Sequence, residues 1–181
     1  IKIRPMEFEL SPGESQKVRF NISVPPGIEG GRYAIIFFEA SPVLVPGERG
    51  SGVDIHMKMG TIVMLTVPDT VFYKAKLTNF EVSELDNDKD FLKIVVSVYN
   101  EGNTLIRPIG NIKIEDENGK KIDEMDSNPK GGGVLPNTGR EFVVKYKKPA
   151  SKGRYNAVIA IDYGGEMLIG GQTKFTVSTG K

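Results

Sequence analysis

Cysteine is missing from the 181 residues, which removes disulfides, thiolate zinc sites and cysteine nucleophiles together. Histidine is nearly missing: His56 stands alone, too little for a usual zinc site, and no serine sits in a nucleophile-elbow context beside it. A charge surplus is missing too. The net charge is +1, and residues 1–68 hold 7 basic and 7 acidic side chains, so the remainder is balanced as well. Nothing in that balance points to a polyanion-binding domain, nucleic acid included. No run of 18 apolar residues occurs, so no membrane-spanning helix is encoded. The i, i+3, i+4 spacing of an amphipathic helix is nowhere sustained. The expectation is a non-enzymatic protein with no catalytic residues, cofactor or metal.

What is present is alternation. Hydrophobic residues make up 39% and charged residues 26% of the chain, enough to build a core. Ile94, Val96 and Val98 share one strand face, Ile112 and Ile114 another, Phe142, Val144 and Tyr146 a third. The run from Tyr155 to Tyr163 alternates throughout. Turn formers separate the runs: Pro12-Gly13, Pro25-Pro26-Gly27, Pro46-Gly47, Asn118-Gly119 and Gly164-Gly165. Asn118-Gly119 suits a two-residue hairpin. Gly131-Gly132-Gly133 lacks the Gly-Lys-Ser/Thr ending of a phosphate loop and reads as a mobile connector.

One unit occurs twice. Pro12 and Pro25 bracket an alternating strand and Gly31-Arg32-Tyr33 follows; Pro136 and Pro149 bracket another, and Gly153-Arg154-Tyr155 follows. A tyrosine at that place is the mark of a tyrosine corner, in which the hydroxyl bonds back to the backbone just upstream. The fold class expected is therefore all-β, as tandem immunoglobulin-like β-sandwiches, the first incomplete at its N-terminus. Residues 1–68 read as the C-terminal part of one sandwich, with strands near 2–10, 16–24, 32–40 and 53–67. Residues 69–181 read as a complete seven-stranded one, with strands near 72–83, 91–100, 105–116, 120–125, 139–148, 154–163 and 172–178. The short joint at Val67-Pro68-Asp69-Thr70 predicts a restricted angle between them.

The odd positions from Val53 to Val67 are mostly apolar, which predicts one long apolar face with a bend at Gly60. A sandwich short of strands leaves such a face and its backbone edges open. Upstream residues are expected to complete it in a longer protein, and a homodimer or strand exchange through 53–67 in this chain. The opening Ile1-Lys2-Ile3-Arg4-Pro5 reads as a strand and not as a signal peptide, so any export signal is expected outside this stretch.

Phe8-Glu9-Leu10-Ser11-Pro12-Gly13-Glu14-Ser15, then Val18 to Pro25, then Gly31 to Phe37 resemble the second half of the immunoglobulin-like domain of WxL-interacting surface proteins, and also pilus-chaperone-like sandwiches. Asn100-Glu101-Gly102-Asn103-Thr104, running on to Asp116-Glu117-Asn118-Gly119, is similar to the next module of such proteins. The resemblance implies an extracytoplasmic setting, whether secreted, periplasmic or cell-surface. It also implies a binding or structural role, acting through loops and edge strands on an envelope protein or cell-wall polymer. An assembly chaperone that donates a strand, or an accessory domain of a larger surface enzyme, are the alternatives.

Four further motifs have competing readings. Leu135-Pro136-Asn137-Thr138-Gly139 matches the LPxTG sorting signal, but a charged alternating strand follows it instead of an apolar anchor, so it reads as a turn. Asp86, Asp88 and Asp90 begin like a calcium loop, yet Phe91 and Ser97 stand where Gly and an acid are needed. His56 alternates with Asp54 and Lys58 and reads as strand surface. Lys145, Lys147, Lys148, Lys152 and Arg154 read as a basic hairpin, either a grip for an anionic polymer or membrane surface or an edge guarded by lysines.

Overall fold

A computed structural model describes residues 1–40, 43–45 and 53–178. Among them every regular element is a strand. The first six are β1 (Lys2–Arg4), β2 (Arg19–Asn21), β3 (Gly31–Glu39), β4 (Val43–Val45), β5 (Val53–Ile55) and β6 (Lys58–Thr66). Seven follow: β7 (Ala75–Glu84), β8 (Phe91–Asn100), β9 (Ile109–Asp116), β10 (Lys121–Asp126), β11 (Gly139–Lys147), β12 (Gly153–Asp162) and β13 (Ile169–Val177).

The last seven strands form two sheets, in the orders β10-β9-β12-β13 and β11-β8-β7. Alternation decides what lies between them. Ile94, Val96 and Val98 of β8 are fully buried, as are Ile112 and Ile114 of β9 and Ala157 and Ile161 of β12, all in one core with Phe142, Val144 and Tyr146 of β11. Burying each large aliphatic side chain contributes about 1.5–3 kcal/mol. Tyr155 and Phe175 close one end, their rings stacked with centroids 5.5 Å apart. These strands lie within a few residues of the predicted ones.

The first six strands build no comparable core. β1 pairs with β2, β3 with β6 and β4 with β5, each as a separate two-stranded ribbon. Within residues 1–40 and 56–69, Ile36 is the one apolar side chain that is strongly buried. Several expectations are corrected here. The strands predicted at 2–10 and 16–24 shrink to three residues each, and 53–67 is two strands in different ribbons, parted at His56-Met57. Gly60 is not a bend: it lies inside β6, paired with Phe37.

Three loop readings change as well. The β9–β10 connection is a three-residue loop. The amide of Gly119 donates to the Asp116 carbonyl (3.0 Å), Gly119 takes φ 78°, and the Asp116 carboxylate accepts from the amides of Asn118 and Lys120. That is a type I turn closed by a left-handed glycine, not a two-residue hairpin. Gly131-Gly132-Gly133 is pinned instead of mobile: Asn128, itself buried, accepts from the Gly132 amide and donates to the carbonyls of Gly132 and Pro108. Leu135–Gly139 is a turn, as expected. Thr138 donates from both its amide and its hydroxyl to the Leu135 carbonyl, Asn137 sits at φ 56°, and the Asn100 amide donates to the Thr138 carbonyl.

The β3–β6 ribbon meets the two-sheet body at one loop. Asn103 donates its side-chain amide to the Thr70 carbonyl (2.7 Å) and accepts from the Phe72 amide (2.9 Å), while its own carbonyl takes the Gly31 amide (2.8 Å). Gly30 is required there: its φ is +71°, and a Cβ would collide with the Asn103 carbonyl. Asn100 holds the loop from below. It is fully buried, donates to the carbonyls of Thr104 and Val134, and accepts from the Gly102 amide. The repeated tyrosines part company at this place. Tyr155 donates to the Ser151 carbonyl (2.8 Å), a tyrosine corner. Tyr33 makes none; its hydroxyl accepts from the Leu105 amide and lies 3.5 Å from the Thr104 hydroxyl.

Candidate functional site

The basic residues singled out in the sequence are not on a hairpin. Lys145 and Lys147 lie on β11 and Lys148 just beyond it, while Arg154 lies on β12, and the two strands belong to different sheets, joined by an arch that carries Lys152. Carboxylates engage three of the five. Lys145 bonds Asp88 (2.8 Å) and sits 3.9 Å from the Phe91 ring centre, Lys148 bonds Glu84 (2.7 Å), and Arg154 lies 3.9 Å from Glu117. The Lys145 hydrogen bond holds the Asp88 carboxyl below its ordinary value. The arch is thus largely neutralised by its own neighbours.

The β3–β6 ribbon is the most unusual surface. Register places Tyr33 opposite Met64, Ile35 opposite Ile62 and Phe37 opposite Gly60, so these side chains share one face. On it Ile35 and Phe37 are each 53% exposed, Ile62 66% and Met64 54%. Polar contacts occur at its two ends: the Tyr33 hydroxyl accepts from the Leu105 amide at one, and at the other Lys58 pairs with Glu39 and lies 4.4 Å from the Phe37 ring centre. The hydrogen bond from Lys58 holds the Glu39 carboxyl below its ordinary value. Among the described residues no third strand pairs with either edge. Scattered exposed apolar residues are ordinary on a protein surface, but a contiguous patch beside open strand edges marks a contact surface.

Sequence reading missed a third site. A cleft of about 750 Å³ opens on the β1–β2 ribbon, lined by Lys2, Arg4, Gln16, Lys17, Arg19 and Asn21. Lys2 stands opposite Asn21 and Arg4 opposite Arg19. All four cations are exposed, and none has a carboxylate partner among the described residues. The signal was there in the form Lys2-x-Arg4 and Lys17-x-Arg19: like charges two apart share a strand face. Only the pairing of two segments distant in sequence turns those doublets into a cluster.

No family model matches the chain, and no curated protein matches it. Solved structures do. The C-terminal domain of Wzt matches with a TM-score of 0.46 and 13% identity, over 64% of this chain and 81% of that one. A β-glucuronidase from Parabacteroides merdae matches with a TM-score of 0.35 and 16% identity, over 65% of this chain. The chain spans only 14% of that enzyme's length.

His56 falls outside all three surfaces, and of the aspartates 86–90 Asp88 serves the first as the partner of Lys145. His56 lies exposed between β5 and β6, and the loop carrying Asp88 directs that carboxylate to Lys145. No group of three potential metal ligands occurs among the described residues.

Proposed function

We propose that the chain is a non-enzymatic, extracytoplasmic binding module of tandem immunoglobulin-like type, with residues 1–68 completed by a strand from another polypeptide. One observation carries the reading: Ile35, Phe37, Ile62 and Met64 stand exposed together on a two-stranded ribbon whose edges pair with nothing described. An extended segment laid along β6 would satisfy its free backbone groups and widen the ribbon, setting its own side chains beside the apolar face, which is how strand addition recognises a partner. The connectivity of the two-sheet body supports the fold assignment. Consecutive strands β7 and β8 pair, β11 joins them, and β9, β12 and β13 form the facing sheet with β10 at its edge, an arrangement of Greek-key sandwiches. The single histidine and the lack of cysteine support the non-catalytic part, and the resemblance to envelope modules supports the setting.

In the purified chain the available strand is that of a second copy. Light scattering at micromolar concentration is expected to show a dimer, and Ile62→Glu, which places a charge on a residue already 66% exposed, is expected to return it to monomer while the main core melts unchanged. A wild-type monomer whose 58–66 amides resist hydrogen exchange would show that the ribbon is closed without a partner and sink the reading.

A further inference from the structure

We propose that the β1–β2 cleft binds a flexible chain of phosphate groups. Lys2, Arg4, Lys17 and Arg19 converge on it, Gln16 and Asn21 add neutral polar groups, and no carboxylate lines it. Like charges held this close repel one another, and an anion relieves that repulsion. Two of the four are arginines, whose planar fork meets a phosphate with two parallel hydrogen bonds. The volume, about 750 Å³, is in the range of pockets that take whole ligands, roughly 300–1,000 Å³, so a single inorganic ion underfills it. Lys2 and Arg4 on β1 and Arg19 on β2, about 5 Å apart across the ribbon and about 7 Å along it, with Lys17 just before β2, suit an anion that repeats. No aromatic residue lines the cleft, so it offers no platform for stacking a nucleobase. A polymer read by its charges alone fits what is present.

This site is separate from the β3–β6 face, and anion titration reads it whatever the oligomeric state. The probe is inorganic polyphosphate of medium chain length, titrated calorimetrically into the full chain. Saturable binding is expected, weakening at least tenfold between about 50 and 200 mM salt as counterions are released. The double variant Arg4→Gln/Arg19→Gln is expected to lose at least tenfold in affinity, and its melting temperature is expected to be unchanged because both side chains are exposed. Lys147→Gln/Lys152→Gln, at the end of β11 and on the arch after it, outside the cleft lining, is expected to bind as the wild type does. Unaltered affinity in the Arg4/Arg19 variant would overturn the proposal. So would tighter binding of polyglutamate or of single-stranded DNA than of polyphosphate at equal charge, since either would mean recognition of something other than a bare phosphate chain.

Discussion

Tyr33 and Tyr155 occupy equivalent places in a sequence repeat and do different work. Tyr155 braces its own strand entry, whereas Tyr33 takes the Leu105 amide across the joint. A buried amide that loses its acceptor costs about 1–3 kcal/mol. Tyr33→Phe is therefore expected to accelerate hydrogen exchange at Leu105 and Gly31 by roughly tenfold or more, while the denaturation midpoint of the main core moves little. Tyr155→Phe is expected to do the reverse, destabilising that core by about 1 kcal/mol and leaving Leu105 as it was. Equal effects of the two substitutions on Leu105 exchange would remove the distinction. The repeat made both tyrosines legible as structural residues. It could not show their partners, because a hydroxyl bonds whatever lies near it in space, and at Tyr33 that is the Asn103–Leu105 loop of the neighbouring sheet body.

β11 shows how an element advertises itself. Phe142, Val144 and Tyr146 alternate with Glu141, Lys145 and Lys147, and burial on one side with solvent on the other leaves a clear period of two. Val53 to Val67 shows the same period and misleads. Alternation tells which residues share a face but not which strand lies beside them, and here two ribbons divide the run. Tyr146 also gives β11 a pH signature. Burial, with smaller contributions from Asp123 and Tyr155, pushes its hydroxyl up to about 12 from an ordinary value near 10. The folded chain thus holds a proton that the unfolded chain releases, so stability is fully present below pH 10 and falls between about 10 and 12, by at most about 3 kcal/mol in all. Tyr146→Phe is expected to flatten that part of the stability curve in denaturant titrations from pH 9 to 12. An unchanged slope would show that another group titrates there.

At the scale of the whole molecule, a net charge of +1 concealed two arrangements of charge: basic residues around the β11–β12 arch neutralised by acids of β7 and of the loop after it, and a cleft of cations left without them. A sum over the sequence cannot separate these, since it discards position. An exposed apolar face was foreseeable because a count of four strands is short of seven, but it is not the face the alternation marked: Val63, Leu65 and Val67 are half-buried, and the exposed face of β6 carries Ile62 and Met64; nor was the division into ribbons foreseeable. The turn at Leu135–Gly139 has a consequence of its own. Its Thr138–Gly139 bond is the one a sortase would cut in an extended LPxTG peptide, and here it is folded back, with the Thr138 carbonyl tied to the Asn100 amide and Gly139 already in β11. The folded chain is expected to resist a sortase under conditions in which the same five residues in a free peptide are cut. Addition of denaturant should expose the bond in step with loss of the main core, as seen by circular dichroism. Rapid cutting of the native chain would show that this turn opens independently. A sequence that elsewhere works as an address would then serve as a clock, its rate of cleavage counting how often the sandwich comes apart.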